Sequence, residues 1–240
     1  MGKTVGVIGG LGPETTAEFY IYLINKARKF NVSYPAIVID NVPFPFSLED
    51  EIIKEEKNER KMLPYLLESV RKLNKTGVDF IVMPCNTFHI FLSEMRKASK
   101  VPVLSIIDET AKMVKSNGFK KVGLLATTKT IQSCMFQDTL GNGGLEVITP
   151  SDEDQKEVSG IEIKILRNAV SVRDTNRMKD ITRKFVENGA DAIILGCTDF
   201  QLILNEKEFE VKMFDSMKIL ADATFEYMAE SKNLRFQYKI

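Results

Sequence analysis

The stretch Asp79-Phe-Ile-Val-Met-Pro-Cys85-Asn-Thr-Phe-His-Ile-Phe-Leu92 has a counterpart in Asp191-Ala-Ile-Ile-Leu-Gly-Cys197-Thr-Asp-Phe-Gln-Leu-Ile-Leu204. Each runs from an acidic residue through an apolar, β-branched run to a cysteine, a hydroxyl-bearing residue and then a helical pattern. Such a run reads as a strand buried in a parallel sheet. Each cysteine then lies at or just past the carboxyl end of its strand, the end at which open α/β sheets bind ligands. Two thiols at equivalent places in two similar halves can face one ligand from opposite sides. That geometry suits a reaction that takes a proton from one face of a carbon and returns it to the other.

The repetition extends beyond the cysteines. Val5-Gly6-Val7-Ile8 returns as Val122-Gly123-Leu124-Leu125, and Val101-Pro-Val-Leu104 is echoed by Val211-Lys-Met-Phe214, in the same order and at nearly the same spacing as Cys85 and Cys197. Amphipathic segments separate the strands: Thr15 to Phe30 with Phe19, Leu23 and Ala27 on one face, and Asn58 to Leu73 with Met62, Leu66, Val70 and Leu73. Lys179 to Glu187 continues the pattern before Asn188-Gly189, a helix C-cap signal. Strands alternating with helices imply βαβ units. The expected fold is α/β, with two similar doubly wound lobes of parallel sheet, pseudo-twofold related, and the site in the cleft between them. Residues 1–107 with 215–240 are expected to form the first lobe and 108–214 the second. The second strand is expected at Ala36 to Asp40, and the C-terminal helix, Met217 to Met228, is expected to cross back onto the first lobe.

Bulk properties narrow the class. Lys plus Arg equals Asp plus Glu at 33 each, so net charge gives no reason to expect nucleic acid or an anionic membrane as partner. No apolar stretch is long enough to span a membrane, and the N-terminus runs straight into a strand. Three cysteines without CxxC spacing and a single histidine fit neither a disulfide framework nor a zinc site. A reduced, cytoplasmic enzyme without a metal is the expectation.

Gly9-Gly10-Leu11-Gly12-Pro13-Glu14-Thr15-Thr16 joins the first strand to the first helix, where small residues and free amides favour an anion. Thr15 stands where a dinucleotide fingerprint wants Gly or Ala, so a carboxylate fits better than a pyrophosphate, and a ligand-free tight turn is the alternative. Cys85 and Cys197 could be buried core thiols, yet their symmetric strand-end positions favour catalysis, with a helix start after each expected to lower thiolate pKa. Cys134 reads as a helix packing residue. His89, four residues past Cys85, either orients that thiol or serves the fold. Thr127 and Thr128 could hold a carboxylate or cap the next helix. The acidic run from Ser151 to Glu157 reads most simply as a solvated helix start.

These residues resemble the aspartate/glutamate racemase family over almost the whole chain. The resemblance rests on Val7 to Pro13, Met83 to His89, Leu124 to Thr128, Thr149-Pro150 through Gln155-Lys156, and Leu195 to Thr198. It implies an amino-acid racemase, aspartate before glutamate, that needs neither pyridoxal phosphate nor metal. Cys85 and Cys197 would be the paired proton donor and acceptor. Asn86, Thr87 and Thr198 would hold the carboxylate and amine region, with Gly12 and Thr127 nearby, and Lys156 would hold a substrate carboxylate. A homodimer is the expected assembly, with a small amino acid as the ligand. Two departures stand out: the loop Asn41 to Asp50 lacks the arginine that family members commonly carry, and Asp199 stands where glutamate is usual. The alternatives are a same-fold cysteine-dependent isomerase such as a maleate cis–trans isomerase, or a non-catalytic small-carboxylate-binding protein. The Phe44 and Phe46 segment could also line a pocket for a less polar side chain.

Overall fold

The structure of the chain, a computed structural model, describes residues 2–53 and 57–229. In chain order the first half contains β1 (Val5–Gly9), α1 (Pro13–Lys29), β2 (Ile37–Asn41), α2 (Phe46–Ile53), α3 (Leu63–Thr76), β3 (Phe80–Val82), α4 (Leu92–Ala98) and α5 (Ile106–Lys115). The second contains β4 (Lys121–Leu125), α6 (Thr128–Gln132), α7 (Met135–Gly141), β5 (Glu146–Ile148), α8 (Asp152–Leu166), α9 (Val172–Glu187), β6 (Ala192–Leu195), β7 (Lys212–Asp215) and α10 (Ser216–Ala229). Every strand pairing is parallel, in a sheet of order β2-β1-β3 and a second of order β5-β4-β6-β7. The repeated motifs therefore occupy matching places, with β1 and β4 central and the cysteine-bearing strands β3 and β6 beside them.

The halves differ where the sequence differs. Val103 forms only an isolated parallel bridge with Ile81, at the position that β7 fills beside β6. Pro102 offers its carbonyl to Ile81 but has no N–H to extend the ladder. The acidic residues that open the two repeated stretches do one job twice. Asp79 accepts the Thr4 amide at 2.6 Å, and Asp191 accepts the Lys120 and Lys121 amides at 2.9 and 3.0 Å, so each ties its cysteine strand to the start of the central strand.

The helical faces are as the periodicity predicts for α1, which buries Phe19, Leu23 and Ala27. The segment predicted as one helix from Asn58 divides instead into a 3₁₀ turn at Glu59–Met62 and α3, because Pro64 fits only in a first helical turn. Gly189 closes α9 at φ +80, the left-handed conformation expected of that C-cap. Cys134 is not a packing residue. It is exposed at the break between α6 and α7, where a φ of 56 turns the chain.

One core cluster joins the lobes: Val5, Phe19 and Leu23 pack with Val122, Phe136 and Ala192 through Ile106, Leu220 and Phe225. Helix α10 lies against α1 and α5, where Asp222 accepts from Tyr22 at 2.9 Å and pairs with Lys26. The expected boundary near residue 107 falls in the first turn of α5, and we propose the lobe division there, with α10 counted in the first lobe. Residues 230–240 of that assignment lie outside the described residues. Among the described residues no helix is long and apolar enough to cross a membrane.

The duplicated glycines of β1 and β4 are not equally replaceable. A Cβ on Gly123 would lie 2.5 Å from the Phe185 ring, whereas one on Gly6 would meet Val78 at 3.0 Å. Overpacking a buried site costs about 1–3 kcal/mol. Urea unfolding is expected to show Gly123→Ala losing an amount in that range and Gly6→Ala losing less; equal losses would contradict this packing account.

Candidate active site

Strand β3 ends three residues before Cys85 and β6 ends two residues before Cys197, so both thiols emerge at the carboxyl ends of their sheets. Gly196 is required by close packing, since a Cβ there would lie 2.7 Å from Leu124. The two ends open into one cavity of about 70 Å³ between the lobes. Cys85, Asn86, Thr87, Thr127, Cys197, Thr198 and Gly12 all line it, which brings together every expected site residue except Lys156.

Buried hydrogen bonds cross the cleft around this cavity. Thr198 Oγ1 donates to the Pro84 carbonyl at 3.2 Å, and the Thr87 and Thr127 hydroxyls lie 3.1 Å apart. Asn86 Nδ2 donates to Ser216 Oγ at 2.9 Å, and Thr15 donates to Asp199. Thr127 also caps α6 by accepting the Thr130 amide, the capping role that its sequence position allowed. In the glycine loop the Gly10 amide is taken by Thr16 Oγ1 at 3.0 Å, while Leu11 and Gly12 face the cavity.

Burial controls the electrostatics. It pushes the Cys85 thiol up to about 12, against the weaker opposing pull of the Phe88 and Thr87 amides. Cys197 is held well above the usual thiol range, first by burial and then by the Glu162 and Asp199 carboxylates. The thiolate-lowering effect expected from the following helical turns is present at Cys85 but loses to desolvation. Asp199 was not among the expected site residues. Its carboxyl lies 4.0 Å from Cys197 Sγ, and burial raises its pKa to about 6 against the donation from Thr15. The Cys-Thr-Asp motif, already marked as a departure, was the available signal.

His89 does not reach the thiol. The chain after Cys85 forms a 3₁₀ turn, Thr87–Phe91, and the ring is spent on backbone. The Ile106 amide donates to Nε2 at 3.2 Å, so Nδ1 carries the proton and donates to the Cys85 carbonyl at 2.6 Å. Burial lowers its pKa to about 4, and the ring is a neutral strut from the cysteine turn to the start of α5.

The outer part of the cavity is formed by Phe44, Glu49, Ile52 and Ile53 of the first lobe and by Lys129, Ser159, Glu162 and Leu166 of the second. Ion pairs from the second lobe grip this segment: Arg167 with Glu49 at 3.1 Å and Asp50 at 2.5 Å, and Lys129 with Glu59 at 2.5 Å. Lys156 is exposed on α8 and does not reach the cavity. Ser159, Glu162 and Leu166 form the inward face of α8, and Gln155 shares it, donating to the Ala126 carbonyl; Lys156 is one residue, about 100°, off that face. The acidic run is only partly solvated, since Asp154 is buried against Lys184 and Arg177. Among the described residues no group of three or more His, Cys, Asp or Glu side chains could hold a metal ion.

Such a site can hold a small carboxylate with hydroxyl and amide groups, keep bulk water from two thiols, and present a carboxyl group beside one of them. Residues 8–224 match the family described as Asp/Glu/Hydantoin racemase. The chain is 32% identical over 225 residues to the broad specificity amino-acid racemase of Bacillus subtilis, covering 92% of this chain and 96% of the relative. The aspartate racemase structure from Picrophilus torridus superposes with a TM-score of 0.78 at 27% identity, covering 96% of this chain and 94% of that one. An aspartate racemase homologue from Pyrococcus horikoshii gives 0.77 at 27% identity, covering 95% and 99%.

The strut role of His89 has a pH signature. Its folded pKa lies below its unfolded one, so the unfolded chain takes the proton first as pH falls. The stabilisation is complete above about pH 6.5 and is lost as pH falls toward about 4. Gln at this position can still donate to Cys85 and accept from Ile106 without titrating. Between pH 7 and 4.5 the parent is expected to lose about 2 kcal/mol more stability in urea than His89→Gln; equal losses would overturn the assignment.

Proposed function

Because the chain belongs to the Asp/Glu/hydantoin racemase family, it is an amino-acid racemase, and we propose that it moves the α-proton between Cys85 and Cys197. The observation that carries this reading is the burial of both strand-end thiols in one small cavity lined by hydroxyl groups. One cysteine, as thiolate, takes the α-hydrogen as a proton and leaves the electron pair on the substrate, delocalised into its carboxylate. The opposite thiol gives its proton to the other face of the carbon and becomes the thiolate. Thr87, whose hydroxyl is not committed to a carbonyl, is suited to hold the carboxylate as charge builds on it, while the Thr198 hydroxyl spends its proton on the Pro84 carbonyl and fixes the turn. Asp199, close to Cys197 and raised by burial to about 6, is suited to reset the protons between turnovers. Burial raises both thiols, and the substrate ammonium group brings the positive charge that favours the thiolate.

The side-chain preference departs from the aspartate expectation. The lysine expected to meet a second carboxylate lies outside the cavity, and the loop without arginine contributes Glu49 instead. Phe44, Ile52, Ile53 and Leu166 give the outer cavity an apolar side, beside the polar Glu49, Lys129, Ser159 and Glu162, and that side favours the alternative of a less polar side chain. A broad range led by neutral or basic amino acids is the reading best supported, and the relative named for broad specificity is in keeping with it.

The test is racemisation of L-aspartate, L-glutamate, L-alanine, L-leucine and L-lysine by the parent, Cys85→Ser, Cys197→Ser and Lys156→Ala. Either cysteine change is expected to cut net racemisation by on the order of 10³-fold on every substrate. Lys156→Ala is expected to leave it unchanged, with aspartate not the best substrate. Parent-like rates in a cysteine variant would refute the two-thiol reading; aspartate preferred, with a loss on removing Lys156, would restore the acidic-substrate expectation.

A further inference from the structure

Asn86 is 2% exposed and lines the cavity next to Cys85, yet its Oδ1 has no hydrogen-bond partner. Leaving a buried acceptor unpaired is costly, so a buried orphan beside a ligand cavity calls for a donor from the ligand. Which end of the amide is left free is set elsewhere. Ser216, fully buried at the start of α10 and outside the cavity lining, donates its one hydroxyl proton to the Leu195 carbonyl at 2.7 Å. Its oxygen then has only acceptor capacity left, and it accepts from Asn86 Nδ2 at 2.9 Å. With Nδ2 committed, Oδ1 is the end that remains for the cavity.

We infer that Ser216 is a positioning residue for the substrate ammonium group: through its one-way hydrogen-bond chain it holds the Asn86 amide with the acceptor end free for an ammonium N–H. The inference rests on the amino-acid reading of the cavity and deepens it. Reversing the amide would put two acceptors against one hydroxyl proton and leave the Leu195 carbonyl or Asn86 Oδ1 without it. It would also aim an NH₂ at an ammonium. The chain starts from a carbonyl two residues before Cys197 and ends on the residue after Cys85, so the same three groups tie the two cysteine turns together.

Binding, rather than turnover, separates this role from a structural one. Calorimetric affinities are compared for L-aspartate, L-alanine and L-leucine and for their deamino partners succinate, propionate and isocaproate. Ser216→Ala is expected to weaken the amino acids about tenfold or more while leaving the deamino acids unchanged, as loss of a hydrogen bond to a charged group requires. Ser216→Thr, which keeps the hydroxyl, is expected to restore the parent values. Ser216→Cys, a poorer acceptor of nearly the same volume, carries the comparison if the alanine variant does not fold. Equal weakening of both ligand sets, or no change in either, would overturn the proposal. A parent that binds amino acids but does not racemise them would count against the two-thiol reading and leave the Ser216 comparison standing.

Discussion

Two parallel sheets that end against each other bury carbonyls, hydroxyls and an amide together, and those groups have to pair with one another. The pairing is what makes one site out of two lobes. Thr198 reaches the Pro84 carbonyl, Thr15 reaches Asp199, Thr87 meets Thr127 and Asn86 meets Ser216, each bond joining the end of one sheet to the other. Buried bonds of this kind are expensive to leave unmade, so the arrangement of the cysteine turns is fixed before any ligand arrives.

The same enclosure sets the chemistry. A thiol in contact with bulk water would ionise easily but would lose its proton to solvent and could not keep track of which face of a carbon it came from. Buried as they are, Cys85 and Cys197 resist ionisation. The residues that oppose desolvation at Cys85 are backbone amides of the turn that follows it, held in place partly by the His89 strut. The fold thus supplies two reluctant acids in a narrow, buried cleft, and a ligand's own charge completes the balance.

Much of this was legible in the sequence because the duplication is written there. The order of the repeated stretches gave the two parallel sheets and both thiol positions, and the amide of Asn86 and the hydroxyl-bearing Thr87, Thr127 and Thr198 do gather at the cavity. What was not legible depends on orientation or on distant partners. Lys156 misses the cavity by one residue of helical rotation, which a motif match does not resolve. The spacing of His89 from Cys85 suggested a shared helical face, but the turn is 3₁₀ and the ring meets backbone instead. Ser216 lies 130 residues from Asn86 in the chain, in a strand-to-helix junction with no motif of its own. The net effect of burial on the thiols needed the cavity itself, since local sequence shows only the amides that oppose it.

The most direct test of the central claim is where solvent deuterium appears. An L-amino acid that the enzyme racemises is incubated with it in deuterium oxide and the reaction is stopped at a few per cent conversion. With two thiols acting from opposite faces, the D-product is expected to carry one α-deuterium while the remaining L-substrate carries none, because the proton removed by one cysteine is not the one returned by the other. Early product that retains its original α-hydrogen, or substrate that becomes deuterated as fast as product forms, would contradict the two-cysteine account.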